Sequence, residues 1–396
     1  MNAYAPIALF VYKRPNHTRK TLESLRRCPE AAESELFVFC DGPKAEDDGA
    51  AIQETRQVVR EQSWCKEVTV IESDHNRGLA ASVIGGVTEI VNRFGQVIVL
   101  EDDLRLSPAF LRFMNASLAR YSDDPKVMHV SGYMHPIDVA WAKDALFLPI
   151  MSSWGWATWK RAWDRFDPDC AGVERLFLDH GLRRAFDIDD GYSQTTMLLR
   201  QLSGQIDSWA IRWYWSMFTH GGVSLFPKNS LVVNRGMDGT GTHCAAIDSV
   251  QEQRIDGGAI GRKETIDFPE TTEWDPVIFE QVSAFFRRTY GHYWTGDLDI
   301  ASLRTQLLGR PVAIFGSGSL GRQLYTLLKK VGVPVNCYVD NDRSKWKETL
   351  DGLPIQSPDA VGRETFFFIA SSWKQEIAAQ LTGAGYSEKK DFLCWN

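Results

Sequence analysis

The feature that most restricts the fold is an alternation near the N-terminus. Short runs rich in β-branched and aromatic residues recur: IALFVY at 7–12, LFVFC at 36–40, VTVIE at 68–72 and VIVL at 97–100. Between them lie segments with helical spacing of apolar residues, HTRKTLESLRR at 17–27, AAIQETRQVVREQ at 50–62 and LAASVIGGVTEIVNRF at 79–94. Strands divided by helices require crossover connections, and that arrangement makes a parallel α/β sheet. A second signature of the same kind starts near Arg310. PVAIFGSGSLGRQLYTLLKKVG (311–332) reads as strand, Gly-rich turn and helix, followed by PVNCYVDND (334–342), ETFFFIASS (364–372) and a closing helix in KQEIAAQLTGAGY (374–386). The expected organisation is a large α/β domain over 1–296 and a small one over 309–396.

The fourth run ends in Glu101, Asp102 and Asp103. Adjacent carboxylates repel one another unless something positive sits among them. One reading is a solvated edge, with Asp103 or Ser107 capping the next helix and Pro108 at its first position in SPAFLRFMNASLARY (107–121). The other is a hard-cation site. Mg²⁺ or Mn²⁺ takes one or two carboxylates, keeps waters and shares its shell with substrate phosphates. In such sheets ligands bind beyond the carboxyl ends of the strands, where this triplet falls. The other runs also end in polar groups: Lys13 and Arg14, then Asp41 in CDGP, then Asp74, His75, Asn76 and Arg77 before Gly78. Each has an ordinary surface or turn reading; four at one sheet edge suit a nucleotide.

Composition narrows the classes. A formal net charge of −7 without a basic block argues against a nucleic-acid partner, though not against a nucleotide ligand. Seven scattered Cys, without a close pair, read as reduced thiols in the cytoplasm. MNAYAPIALFVYKRP lacks the form of a signal peptide, and no apolar run approaches the ~20 residues that span a bilayer. Peripheral contact with the inner face of the membrane stays open. The 14 Trp are unusual, and SSWGWATWKRAW (152–163) gathers several of them. Such residues either fill a core or stack on sugar rings.

ALFVYKRP, FVFCDGPK, SDHNRGLAAS, VIVLEDDLRLSPAFLRFM and HVSGYMH, in that order, resemble the GT-A-fold nucleotide-sugar glycosyltransferases. The nearest likeness is to family-2-like bacterial sugar transferases and to Golgi N-acetylglucosaminyltransferases that carry EDD in place of DXD. It covers residues 5–245, and the run from the EDD through SPAFLRFM is its most specific part. The resemblance implies a mixed, mostly parallel sheet flanked by helices. It implies a hexosyl- or N-acetylhexosaminyl-transferase that uses a nucleoside-diphosphate sugar, Mn²⁺ or Mg²⁺, and a glycan or lipid-linked glycan acceptor. By position, Asp103 matches the metal carboxylate, Asp102 the group near ribose or donor sugar, and Glu101 one near the donor sugar. Arg14 matches a diphosphate contact and Asp41 the carboxylate facing the nucleobase, with His75, Asn76 and Arg77 flanking the base. Trp154 and Trp156 match an aromatic loop around donor sugar and acceptor. His243 in DGTGTHC matches a phosphate or metal contact. An inverting transferase needs a base for the acceptor hydroxyl. Asp207 in QIDSWAIRW fits by position, and could equally cap the helix that follows; Asp189 and Asp190 are the alternative.

In the second domain, Gly316, Gly318 and Gly321 follow a strand and open a helix, and Asp340 ends the next strand, 340 − 316 = 24 positions on. This is the context of a nucleotide-binding turn; its plain counterpart is a tight turn with no ligand. IFGSGSLG, VDND and LDGLPIQSPDAV resemble the small Rossmann-like domains attached to sugar-modifying enzymes of bacterial polysaccharide synthesis. That resemblance implies an accessory nucleotide-binding role. Two other function classes remain: a nucleotide-sugar-modifying enzyme (nucleotidyltransferase or NAD-linked), and an inert nucleotide-sugar-binding protein.

Overall fold

A computed structural model describes residues 4–236, 255, 260, 263, 265–290, 303, 307 and 309–395. The chain forms two compact units. One comprises Met1–Pro168 and Ser208–Phe285, the other Asp169–Asp207 and Phe286–Asn396.

The first unit is built on β1 (Ile7–Val11), β2 (Glu35–Cys40), β3 (Glu67–Glu72), β4 (Gln96–Glu101), β5 (Leu104–Leu106), β6 (Val127–Ser131), β7 (Ala145–Leu148), β8 (Trp156–Trp159), β9 (Val223–Pro227) and β10 (Val232–Asn234). Its eight-stranded sheet runs β3-β2-β1-β4-β8-β6-β9-β7, while β5 and β10 pair separately. β3, β2, β1 and β4 are mutually parallel. The expected helices connect them: Pro15–Arg26, Gly49–Arg60 and Leu79–Phe94. The helix Pro15–Arg26 starts on a proline and buries Leu22 and Leu25. The helix Leu79–Phe94 lies close on the sheet at Gly86, where a Cβ would stand 2.8 Å from the Phe10 ring. It ends at Gly95, whose φ of 80° lets its N–H reach Val91 O at 2.8 Å.

β1 has β2 on one side and β4 on the other, so the order reverses between β1 and β4. Sheets of this kind bind ligands beyond such a reversal, and here Arg14 follows β1 and Asp102 and Asp103 follow β4.

Two local expectations are corrected. The aromatic run is not wholly a loop: Trp156–Trp159 forms β8, fully buried and inserted antiparallel between β4 and β6. Alternating large aromatics with Ala and Thr suits a strand covered on both faces. The helix after the acidic triplet starts at Phe110, not at Pro108. Ser107 Oγ accepts from Ala109 N–H at 3.3 Å and Ser107 O from Phe110 N–H at 3.0 Å, so this serine closes a turn ahead of the helix.

The second unit carries β11 (Val312–Phe315), β12 (Cys337–Val339), β13 (Thr349–Leu350), β14 (Leu353–Gln356), β15 (Phe366–Ile369) and β16 (Phe392–Cys394) in the order β13-β14-β12-β11-β15-β16. All neighbours are parallel except the β13–β14 hairpin. The chain closes on β16 rather than on the expected helix, which occupies Lys374–Gly383 just before it. The segment 169–207 packs with this unit. Arg322 Nη2 donates to Ser203 O at 2.9 Å, and Gln205 Nε2 to Ser319 O at 3.1 Å. Among the described residues no helix is long and apolar enough to cross a membrane.

Candidate functional site

The acidic triplet finds its positive partner just beyond the neighbouring strand β1, at the N-cap of the helix Pro15–Arg26. Arg14 Nη2 donates to Asp103 Oδ2 at 2.9 Å and also to Asp102 Oδ1, and Arg14 Nε donates to Asp102 Oδ2 at 3.3 Å. Both aspartates are buried, 4% and 5% exposed. Thr21 Oγ1, on the helix Pro15–Arg26, ties down the main chain beneath them by donating to Asp102 O at 2.7 Å and Leu104 O at 2.8 Å. Burial pushes the Glu101 carboxyl up, and the charges of Asp103 and Asp102 push it further. Burial also raises Asp102, against the pull of Arg14. Burial works against the Arg14 charge, but the two aspartates outweigh it and raise its pKa.

Two residues that sequence reasoning missed complete this arrangement. Asn234 Nδ2 donates to Asp103 Oδ1 at 3.4 Å, and its own Oδ1 accepts from Gly236 N–H at 2.7 Å. A Cβ at Gly236 would lie 2.1 Å from Asp103 Oδ2 and 3.1 Å from Arg14 Nη1. The Asp103 carboxylate therefore packs directly against the Gly236 backbone, where no side chain fits. The only sequence signal was the tripeptide Asn-Arg-Gly (234–236) at the end of a β-rich run.

Asp41 does something other than expected. Its Oδ1 accepts from Gly42 N–H at 2.9 Å and Arg77 N–H at 2.8 Å. Its Oδ2 accepts from Gly78 N–H at 3.0 Å and Asn76 Nδ2 at 3.1 Å. Both oxygens are thus committed to the loop that precedes the helix Leu79–Phe94. Asn76 adds a bond to Gly42 O at 3.0 Å. The loop presses on Gly42 so closely that a Cβ there would stand 2.5 Å from the His75 backbone. His75 and Arg77 are exposed at its tip. Lys13 turns away to Asp48, 2.5 Å distant, which Tyr12 also holds at 2.5 Å.

The aromatic candidates separate. Trp154 is half-buried and meets Tyr133 edge-on, with centroids 4.5 Å apart. Trp156 is fully buried, stacked on His129 at 5.2 Å and Trp209 at 5.0 Å. It therefore offers no face to a ligand, which corrects the expectation drawn for it. Asp207 is the residue before the N-cap of the helix Trp209–Thr219. The cap is Ser208, whose Oγ accepts from Ile211 N–H at 3.4 Å, so the capping role proposed for Asp207 belongs to its neighbour. Asp189 and Asp190 lie in a left-handed turn with φ of 53° and 59°, and both face Arg184. His243 lies outside the described residues.

In the second unit, a cavity of about 620 Å³ opens at the carboxyl ends of β11, β12 and β15, lined by Gly316, Ser317, Gly318, Asp340, Ser371 and Trp373 among others. The order reverses at β11 here too, so the cavity sits at a switch point. Gly316 has a φ of 117°, and a Cβ on Gly321 would strike Gly316 O at 1.9 Å, which explains both glycines by backbone approach alone. Gly318 faces open space. Asp340 Oδ2 accepts from Ser317 N–H at 3.1 Å, Ser317 Oγ at 2.5 Å and Lys345 Nζ at 3.1 Å.

Residues 309–392 match the family described as C2185-like, N-terminal, which covers the β11–β16 region and well under half of the chain. No curated protein matches the chain. Solved structures similar to it include TarS of S. aureus, with a TM-score of 0.24 and 13% identity over 35% of this chain and 23% of that one. The match thus spans under a quarter of TarS. Mouse xyloside xylosyltransferase 1 gives 0.28 and 13% over 55% and 81%, and the glycosyltransferase GlyE of Streptococcus pneumoniae TIGR4 gives 0.28 and 9% over 96% and 99%. Likeness at this level establishes neither a shared fold nor a shared activity.

Proposed function

We propose that this chain is an inverting, metal-dependent glycosyltransferase. It would move a hexosyl or N-acetylhexosaminyl group from a nucleoside-diphosphate sugar to a hydroxyl of a cell-surface or lipid-linked glycan, in the cytoplasm or at the inner face of the membrane. The observation that carries the reading is the buried Asp102–Asp103 pair beyond β4, faced by Arg14 from β1 across the switch point of a parallel sheet. Buried carboxylates are costly unless a cation compensates them; Arg14 supplies one here, and a metal ion arriving with the donor would supply another.

Among the described residues no group of three or more His, Cys, Asp or Glu side chains could hold a metal ion by itself. An Mg²⁺ or Mn²⁺ ion would therefore depend on Asp103 together with waters and ligand phosphates, the hard oxygen donors that either cation takes. When bound, the ion would neutralise charge on the departing nucleoside diphosphate. Arg14 can exchange a carboxylate for a phosphate oxygen and keep a charge-assisted hydrogen bond throughout. Asp41 positions the 74–78 loop beside the base without having to touch it. Trp154 offers a half-exposed indole to a sugar ring. Asp207 is the assigned base for the acceptor hydroxyl. The cavity of the second unit is assigned an accessory nucleotide-binding role through Gly318 and Asp340.

The test is a thermal-shift and hydrolysis panel of UDP-, GDP-, dTDP- and CMP-sugars with and without Mn²⁺. One nucleotide class should stabilise the protein only with metal, and Asp103→Ala should abolish that dependence. Metal-dependent binding unchanged in Asp103→Ala removes the metal assignment. Asp207→Asn should keep donor binding and lose transfer; normal turnover removes it as base.

A further inference from the structure

Beside the acidic pair lies a cluster of the opposite sign that the donor reading does not use. Arg105 stands on β5, two residues after Asp103, and its Nη1 is buried without a hydrogen-bond partner. β10 runs antiparallel to β5 with Val233 opposite Arg105, and Arg235 follows two residues later. On the other side, Ser24 Oγ accepts from Leu106 N–H at 3.1 Å, which binds the end of the helix Pro15–Arg26 to β5 and brings Arg27 alongside. None of the three guanidinium groups makes an ion pair or a side-chain hydrogen bond among the described residues. Arg27 and Arg235 are exposed, while Arg105 is half-buried between them.

A buried guanidinium N–H without an acceptor is costly, and two neighbouring cations add to the cost. Several other arginines of the chain do meet carboxylates: Arg14 with Asp102 and Asp103, Arg56 and Arg60 with Glu72, Arg310 with Asp391. Three neighbours that make no ion pair among the described residues form a local positive field on a chain whose net charge is −7. We propose that Arg27, Arg105 and Arg235 form a binding site for a phosphate-bearing group. Several tetrahedrally arranged oxygens can satisfy more than one guanidinium fork at once, whereas a single carboxylate offers two oxygens in one plane. The phosphate can come from a soluble ligand or from a lipid headgroup.

The experiment titrates inorganic pyrophosphate, without metal or sugar, into the full chain and into Arg105→Gln, Arg27→Gln and Arg235→Gln by calorimetry. Wild type should bind saturably; Arg105→Gln should weaken binding about 10-fold or more, and each exposed variant severalfold. In the absence of ligand, Arg105→Gln should melt no lower than wild type, since it removes an uncompensated cation. Co-sedimentation with phosphatidylglycerol vesicles, set against phosphatidylcholine, separates the sources. Arg105-dependent vesicle binding assigns the phosphate to a headgroup, and pyrophosphate binding alone assigns it to a soluble ligand. The proposal is overturned if neither probe binds, if Arg105→Gln, Arg27→Gln and Arg235→Gln all bind as wild type does, or if succinate competes as well as pyrophosphate. Asp103→Ala should not weaken pyrophosphate binding, so failure of this site and failure of the metal assignment give different results.

Discussion

Asp41→Ala gives the sharpest check on how the nucleotide side of the crevice is built. The carboxylate accepts four hydrogen bonds, from Gly42 N–H, Arg77 N–H, Gly78 N–H and Asn76 Nδ2, at 2.8–3.1 Å. A hydrogen bond to a charged group contributes about 1.5–3 kcal/mol net. Residues 75 and 77 are exposed, so water can replace part of what is lost there, whereas Asp41 itself is only 9% exposed. Counting the better-buried bonds and discounting the rest gives a loss of about 2–4 kcal/mol. Urea denaturation measures that loss, and hydrogen exchange at the amides of Arg77 and Gly78 should show the loop opening. Because the loop as a whole loosens, affinity should fall for every nucleotide of a UDP, GDP, dTDP and CMP panel alike. Asp41→Asn keeps one acceptor oxygen and should fall between the two. The reasoning is refuted if Asp41→Ala costs under about 0.5 kcal/mol. A switch of base preference at intact stability would also refute it, since Asp41 would then read the base directly.

Three further outcomes are expected. Gly236→Ala places a methyl 2.1 Å from Asp103 Oδ2, so Asp103 or Arg14 must move; overpacking should cost about 1–3 kcal/mol of stability in denaturant titration and weaken nucleoside-diphosphate binding in calorimetry, and unchanged stability and affinity count against the close packing. Trp156→Ala should destabilise the first unit by about 3–5 kcal/mol in denaturant titration, because the fully buried indole fills the core between His129 and Trp209. Burial pushes the Asp187 carboxyl up to about 7, against the bond it accepts from Thr195 N–H. Its folded state prefers the neutral acid, so that contribution is full below the unfolded carboxyl range and is lost as pH climbs through about 7. Asp187→Asn should accordingly gain stability relative to wild type between pH 5 and pH 8, and a gap that does not change with pH counts against the buried-acid reading.

Much of the architecture was legible because it is local. Runs such as IALFVY and VIVL carry the β-rich composition of strands covered on both faces, and 79–94 carries a helical stripe, so strand, helix and strand follow from spacing alone. The acidic triplet stood out for the same reason: three carboxylates at the end of an apolar run conflict with their surroundings. What compensates them did not show. Arg14 and Asp102 are 88 positions apart, and Asn234 and Asp103 are 131 apart. Asp41 looked free to face a base because its four donors come mainly from residues 76–78, whose backbone direction no composition reveals. The Trp run misled in the opposite sense, since indoles that could stack on sugar rings are equally good at filling a core.

The sequence by itself determined that two α/β sheets would form and that polar residues would follow the strands of the first. Alternating periodicity and crossover length leave few other folds for such a chain. Tertiary structure decided which charges meet. Parallel pairing brings the ends of β1 and β4 together, so Arg14 reaches both aspartates, and pairing of β10 with β5 brings Asn234 and Gly236 to Asp103. The same pairing sets Arg105 beside Arg235, and neither makes an ion pair among the described residues. Charge compensation depends on distances of a few ångströms across strands far apart in the chain, and those distances exist only once the sheet has closed.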